Sequence, residues 1–362
     1  MIGMQNMIAD RVSADEGVRL ASFFKEVINW PGFKHAGSTA DYWNWKYLHR
    51  PYSNSIGYAM WLNEEVLSHA SLVTSQLLVE NNIITAGQMG DLYTHPDYRG
   101  KGLAEHLLSS VENQAILDDI KLIFAFPSEI GCMIISKRGY KELPIKFSQY
   151  RFITDPSVFF KKVNFGSIKG LAYKAMTAAR APGRKSIPNM VKEVADIPED
   201  IGNMTREFEM NFELCHRHDY QYLQWRYANP TGGYFKILVA TDNGTTVGII
   251  VLRPYIAKGI HYMEIVDFMS DLNRPEIIRS LLGESIALAK KEGISEIQTW
   301  IPSDHPFVSS LIQAGFISRP LSAGERGFRM FCHSRHDHDI VSKLLENDSL
   351  KAHIMLGDTD WI

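Results

Sequence analysis

Apolar residues follow helical spacing in some stretches of this chain and strand spacing in others. The order of these stretches recurs in the second half. Apolar positions at helical spacing predict helices near residues 15–28, 102–117 and 130–137. Alternating or short apolar runs predict strands over 57–62, 65–74, 83–94, 121–126 and 145–153. The second half predicts strands over 234–240, 245–253 and 258–269, a helix over 274–292, a strand over 296–301 and a helix over 305–313. The pattern therefore predicts two similar α/β units.

Three landmarks in the sequence repeat in the same order. YWNWKY around Trp45 is echoed by YLQWRY around Trp225, 180 residues later. Asp91 and Asp267 are 176 residues apart, and the same distance separates Gly139-Tyr140 from Gly315-Phe316. A nearly constant offset is the signature of an internal repeat. We expect two domains over 1–155 and 201–335, a basic linker over 156–200 and a C-terminal extension over 336–362.

Composition narrows the class of protein. The 362 residues carry a formal net charge of −3, so no overall basic field argues for nucleic acid. We expect no secretory signal and no transmembrane segment, because no apolar run reaches the length that spans a bilayer. The three cysteines, Cys132, Cys215 and Cys332, form no close pair, which is typical of free thiols in a reducing cytoplasm.

The candidate chemistry lies where the strand ending at Thr94 meets the next helix. Pro96 ends the strand, and the glycines of RGKG (Arg99–Gly102) let the backbone approach a ligand closely. The first amides of the following helix have no internal acceptor and carry partial positive charge. Strand, glycine turn and helix start therefore indicate an anion site suited to a diphosphate. The alternative is an ordinary tight turn.

The same segment resembles a known family. Arg99-x-x-Gly102-x-Ala104 is similar to the [QR]-x-x-G-x-[GA] acyl-CoA signature of the GNAT acetyltransferase superfamily, and the later KRGY ending at Tyr140 resembles that superfamily's lysine–glycine–aromatic segment. The resemblance implies an α/β (α+β) fold of two tandem GNAT-like domains, each a mixed, mostly antiparallel sheet flanked by helices. It is specific over residues 10–153 and only a fold-level echo over 205–332.

The resemblance also implies a co-substrate, acetyl-CoA or a related acyl-CoA, and where it binds. The pantetheine arm would pair with the strand at Leu92, Tyr93 and Thr94. Backbone amides of the loop would hold the diphosphate, and the residues concerned are Arg99, Gly100, Lys101, Gly102, Leu103 and Ala104.

Two catalytic positions that are common in that superfamily are vacant. The position of the usual base is Gln88, which cannot take a proton, and the position of the usual tyrosine acid is Ile135. Asp91 is the first candidate for a base or an amine anchor, Tyr93 for a proton donor and Glu129 for an amine contact. Each has a structural alternative: an acid satisfied by its neighbours, a packed aromatic and a helix-start acid.

The second unit differs at the corresponding places. Glu264 occupies the position that matches Gln88, but the loop Ser270–Glu276 lacks the glycines and carries two acids. We therefore expect no CoA site there. The repeated aromatic residues around Trp45 and Trp225 favour a buried cluster over a sugar-binding platform. The run His333–Asp339 has no standard zinc spacing, so we expect no metal.

The resulting expectation is a cytoplasmic acetyl-CoA-dependent N-acetyltransferase that acts on a small-molecule amine or an amino sugar. A CoA-binding module without turnover and an aminoacyl-tRNA-dependent ligase are the alternatives, and the glycine loop argues against the ligase. The stretch 156–185, with seven basic residues and no acid, is interpreted as a solvated linker or as a peripheral membrane contact.

Overall fold

The computed structural model describes residues 7–53, 55–155, 190–320, 329–334 and 338–360. The predicted basic stretch 156–185 lies outside the described residues, and the run His333–Asp339 lies partly outside them.

The first sheet is built mainly from the first half of the chain. Its strands there are β1 Met7–Arg11, β2 Ile56–Leu62, β3 Glu65–Val79, β4 Asn82–Thr94, β5 Leu122–Ala125 and β6 Lys141–Glu142. The helices of this half are α1 Gly17–Ile28, α2 Thr39–Tyr47, α3 Leu103–Leu117 and α4 Glu129–Lys137. Strands β1 to β4 pair antiparallel in chain order, whereas β5 runs parallel to β4 after the α3 crossover.

The second sheet takes most of its strands from the second half. They are β7 Phe147–Ile153, β8 Val191–Val194, β10 Lys236–Asp242, β11 Thr245–Ala257, β12 Ile260–Ser270, β13 Glu296–Pro302 and β14 Ile317–Pro320. The helices here are α5 Ile201–Glu209, α6 Tyr220–Leu223, α7 Pro275–Lys291 and α8 Val308–Gln313. Again β10, β11 and β12 are antiparallel, and β13 follows the long helix α7 and pairs parallel to β12. The prediction of mixed, mostly antiparallel sheets flanked by helices is confirmed.

Strands cross between the two sheets. Strand β7, the last strand of the predicted first domain, lies between β13 and β14 of the second sheet. In return, β9 Leu214–His216 pairs with β3 and β15 Phe331–His333 pairs with β5 and β6. The C-terminal helix α9 His338–Glu346 precedes the short strand β16 Ala352–His353, which pairs with β9. The predicted division at residues 155, 201 and 335 therefore follows the repeat in sequence, while the sheets exchange strands across it.

Packing of the helices follows from their apolar faces. Helix α1 buries Leu20, Ala21, Phe23 and Phe24, the spacing of one helical face, against the first sheet. Helix α2 begins at a capping box between Ser38 and Asp41. The repeated tryptophans meet at the contact between the halves. Trp45 stacks on Trp225 at 4.5 Å between ring centroids, and each indole nitrogen donates to the other residue's carbonyl.

Candidate functional site

Strands β4 and β5 separate part-way along their length. They pair only from Ala86 to Gln88, opposite Leu122 to Phe124. Beyond Gln88, β4 continues to Thr94, while β5 ends at Ala125. The side of β4 from Met89 to Thr94 that would face β5 therefore has no strand partner in the described chain, and its backbone groups are open to an extended ligand.

A bulge in β4 changes which side chains share a face. Ser71 pairs with Gly90 but His69 pairs with Tyr93, so β4 carries one extra residue, and Asp91 has φ of 44°. Met89 and Leu92 pack in the core on the α3 side. The other three side chains lie on the opposite face. Gln88 contacts the C-terminal segment, Asp91 contacts α2 and Tyr93 contacts α1. The bulge thus gathers Gln88 and Asp91 on one face, which strict alternation would separate.

The loop before α3 is open to solvent. Gly100 and Gly102 have φ of 74° and 77°, a region that favours glycine, and no atom lies within 4 Å of where a Cβ would stand at either. Within the described chain, the amides of residues 100–105 donate to no acceptor. Arg99 donates to the Thr94 carbonyl at 3.1 Å and to the Tyr93 hydroxyl at 3.3 Å. Six free amides at a helix start form a site suited to an anion.

Asp91 is held by ionic and hydrogen-bonding partners. Its carboxylate accepts from the Lys46 ammonium at 2.7 Å and from the Tyr47 hydroxyl. Burial favours its neutral form, but Lys46 and the two hydrogen bonds outweigh burial and hold the pKa of Asp91 below its usual range. A carboxylate with a lowered pKa and fixed partners is a poor proton acceptor. The structure thus places Asp91 in the site as an anchor for Lys46.

Asp360, from the C-terminal segment, was missed by sequence reasoning. Its Oδ1 accepts from Gln88 Nε2 at 2.6 Å, and its Oδ2 lies 3.5 Å from Lys46 Nζ. The side chain is 6% exposed. Burial raises the pKa of Asp360, with Lys46 opposing and the Asp91 charge adding to the increase. A titratable carboxylate therefore stands against Gln88, at the position where the sequence lacks a base. Because 272 residues separate the two in sequence, local patterns could not reveal the pair.

The other predicted residues lie elsewhere around the site. Tyr93 is half-buried against Phe23 and accepts from Arg99. Glu129 is exposed in the first turn of α4, which Ser128 caps, and no hydrogen bond or ion pair of the described residues joins it to Asp91 or Tyr93. Ile135 is buried in the core. The structure therefore brings Asp91 and Tyr93 to one face of β4 and leaves Glu129 apart.

Comparison with known proteins bears on this arrangement of strand, loop and helix. Residues 26–142 match the family model described as the acetyltransferase (GNAT) domain. This segment is similar to the GNAT acetyltransferase domain. The match covers about a third of the chain and includes β4, the glycine loop and α3. The opening beside β4 and the free amides therefore lie within the matched segment. No curated protein matches the chain.

Solved structures resemble nearly the whole chain. A conserved protein of unknown function from Enterococcus faecalis V583, described as a probable N-acyltransferase, has a TM-score of 0.66 at 13% identity and covers 91% of this chain and 73% of that chain. A GCN5-related N-acetyltransferase from Anabaena variabilis has a TM-score of 0.64 at 11% identity, with 91% and 72% covered. The N-myristoyltransferase of Saccharomyces cerevisiae with bound myristoyl-CoA has a TM-score of 0.60 at 11% identity, and the match covers 92% of this chain and 80% of that chain. At these identities the likeness shows the fold alone.

Several features of the first half recur in the second half with different side chains. A register shift interrupts β12, and Tyr227 donates to Asp267 at 2.9 Å as Tyr47 does to Asp91. Strands β12 and β13 also pair over only three residues, from Tyr262 to Glu264. The turn Leu356–Asp358 packs against both strands there, and the position of Gly357 leaves no room for a Cβ beside Tyr227 and Val266. The C-terminal segment therefore fills this opening.

The start of α7 also differs from that of α3. Asp271 accepts from the Asn273 amide at 2.9 Å through its side chain and from the Arg274 amide through its carbonyl. A hydrogen bond from its own backbone amide, with Arg274 nearby, holds the pKa of Glu276 below its usual range. These amides are satisfied by the chain's own acids, which would also repel an anion.

A cluster of three buried side chains that includes Asp267 has the ligand types of a metal site. One ligand atom each from His218, Asp267 and His353 lies within 4.8 Å of the others. The hydrogen bonds assign a proton to one of these atoms. The Phe307 amide donates to His305 Nδ1, so His305 Nε2 donates to His353 Nδ1, and the His353 proton is on Nε2, 3.5 Å from Asp267. A protonated Nε2 cannot bind a cation, so the arrangement favours a proton-linked network at these residues.

Among the described residues, no helix is both long enough and apolar enough to cross a membrane.

Proposed function

We propose that this protein is an acyl-CoA-dependent N-acyltransferase that transfers an acetyl group to a small-molecule amine, an amino sugar included. The observation that carries the proposal is the pairing of an unfilled edge of β4 with six free amides at the start of α3. An acyl-CoA has an extended arm and a diphosphate, and this site offers a partner for each.

Different residues of the first half would bind different parts of the acyl-CoA. Backbone groups of Leu92, Tyr93 and Thr94 would pair with the pantetheine arm. Amides from Gly100 to Ala104 would hold the diphosphate, with charge from Arg99 and Lys101. Lys101 now lies over the Tyr98 ring at 4.5 Å, an exposed position from which it can turn to a phosphate.

An acyl-CoA supplies an acyl group on a thioester, and an amine that attacks it forms a C–N bond as the C–S bond breaks. The attacking amine must lose a proton. Asp360 is our candidate for the acceptor of that proton, because its pKa is raised and it lies against Gln88 at the end of the β4–β5 pairing. Lys46 and Asp91 would position Asp360 and keep the site's charge balanced.

We place the acyl-CoA site in the first half alone. The second opening is filled by residues 356–358, and the amides of its helix start are bonded to Asp271. We also place the reaction in the cytoplasm, since Cys215 and Cys332 are buried free thiols.

The test is titration calorimetry with acetyl-CoA on two matched variants. Gly102→Glu introduces a side chain and a negative charge among the free amides, and we expect binding to be lost. Gly244→Glu is the control, because Gly244 also has a positive φ and open space but lies in the β10–β11 turn. Unchanged affinity in Gly102→Glu, or equal losses in both variants, would contradict the proposed site.

A further inference from the structure

A small cavity lies between the two halves, next to the candidate base. Gln88 and Asp360 are among the residues that line it. Residues from both halves also line it, among them Arg50, Ser75, His216 and Trp225. The cavity therefore adjoins the point where the amine would meet the acyl group.

Arg50 reaches the cavity without an acidic partner. Its Nε donates to the Thr74 carbonyl at 2.6 Å, and its guanidinium lies 4.3 Å from the centre of the Trp225 ring. Among the described residues, no carboxylate lies within ion-pair distance of it, and its terminal nitrogens donate to none of them. Burial lowers the pKa of Arg50 to about 10, with the Arg226 charge adding to this. A guanidinium held in this way is costly unless an anion comes to it.

Two further polar side chains on the cavity wall have no partner within the described structure. Ser75 Oγ and both ring nitrogens of His216 make no hydrogen bond, although the side chains are only 5% and 2% exposed. Burial lowers the pKa of His216 to about 4, so the ring is neutral at pH 7 and offers one donor and one acceptor. Unsatisfied buried groups around a cavity indicate a polar ligand.

We propose that the acceptor amine carries a carboxylate, as an amino acid does, and that Arg50, Ser75 and His216 bind this carboxylate. This inference rests on the proposed acyltransferase function and adds the acceptor's class. The two terminal nitrogens of a guanidinium match the two oxygens of a carboxylate. Asp360, which also lines the cavity, would then face the amino group. The charges of the wall thus complement a small zwitterion.

The experiment compares acceptors that differ only in the carboxylate. Thiol release from acetyl-CoA is followed with the twenty common L-amino acids and with their α-amides, and phosphoethanolamine serves as a phosphate-bearing amine. We expect at least one amino acid to be acylated with a kcat/KM ten or more times that of its amide. Equal rates for acids and amides, or a preference for phosphoethanolamine, would overturn the carboxylate assignment and leave acyl transfer established.

Variants tie that preference to the cavity. Arg50→Gln should raise the KM for the amino acid at least tenfold while changing the KM for acetyl-CoA less than twofold. Ser75→Ala is a smaller change and replaces Arg50→Gln if that variant does not fold. It should raise the acceptor KM about threefold. Arg279→Gln, on helix α7, is the control. An unchanged acceptor KM in the Arg50 or Ser75 variant would refute the site.

A binding measurement separates this inference from the proposed function. Calorimetric titration of the same amino acids into protein saturated with CoA requires no turnover. Binding in the wild-type chain and its loss in Arg50→Gln would support the carboxylate site even without acylation. If CoA binds and no amino acid does, the carboxylate site is wrong; if CoA itself does not bind, the acyltransferase proposal fails first.

Discussion

The two halves place the same tyrosine–aspartate pair beside a break in a central strand, yet one pair adjoins an open site and the other is sealed. Asp91 accepts from Tyr47 and Lys46, and its side chain is 11% exposed. Asp267 accepts from Tyr227 and has no exposed surface. One scaffold therefore supports two environments, and the difference comes from the C-terminal segment that packs on β12.

The partners of the two aspartates follow from this difference. In the first half a lysine shares its charge between Asp91 and Asp360. In the second half His218 lies 2.8 Å from Asp358 and 3.4 Å from Asp267. Burial favours a neutral His218, but these two carboxylates outweigh it and raise the pKa of His218 well above its usual value. The open site retains a carboxylate that can titrate, Asp360, whereas the sealed pair is a fixed ionic network.

The largest expected effect is on the sealed network. His218→Ala leaves Asp267 and Asp358 buried near each other without their cation, and we expect it to lower the free energy of unfolding by about 3–5 kcal/mol. Chemical denaturation measures this value. His95→Ala, in the exposed turn after β4, should cost far less. A loss below about 1 kcal/mol for His218→Ala would contradict a network that holds the second half together.

The same network should make the free energy of unfolding depend on pH. The pKa of His218 is raised in the folded state, so its contribution is complete below the unfolded value near 6.5 and declines as the pH rises towards the folded pKa. We expect the free energy of unfolding to fall as the pH rises above about 6.5 in the wild type, and to fall less in His218→Ala. Parallel pH profiles for the two proteins would show that His218 is not charged.

In the open site, a change at Asp360 should affect catalysis more than stability. Asp360→Asn keeps the contact with Gln88 but cannot take a proton, and we expect kcat to fall by about 100-fold. Acetyl-CoA affinity should be unchanged. The raised pKa of Asp360 predicts that wild-type kcat falls at acid pH, where the carboxyl is protonated, and the variant should lose this limb. An Asp360→Asn enzyme with wild-type kcat would exclude Asp360 as the base.

The smallest effects come from a matched pair of glycines. A Cβ at Gly90 would overlap the Asp360 carboxylate, and a Cβ at Gly357 would overlap the Tyr227 hydroxyl. Each alanine substitution should cost about 1–3 kcal/mol of stability by overpacking. Only Gly90→Ala should also lower kcat, because it displaces Asp360. Equal activity in the two variants would remove the functional difference between the halves.

The parts of this account that depend on local pattern were predictable from sequence. Gly100 and Gly102 directly before an apolar helix predicted the open loop. The boundaries of β4 and α3 agree with the predicted ones within one residue. These features are encoded within a few residues of each other, so one sequence suffices to find them.

The rest depends on contacts between distant segments. Asp360 meets Gln88 across most of the chain, and β7 and β15 cross between the sheets. The partners of Asp91 are likewise set by tertiary packing, so its lowered pKa could not be inferred from its place in a strand. The bulge at Asp91 has no sequence signal that we recognise.

The central claim is that one of two similar openings binds an acyl-CoA through free amides at its helix start. Hydrogen exchange of the whole protein with and without acetyl-CoA tests this directly, since it measures those amides. We predict that exchange slows at residues 100–105 and is unchanged at residues 271–276. Equal protection of both segments, or none at residues 100–105 while acetyl-CoA is bound, would contradict the account.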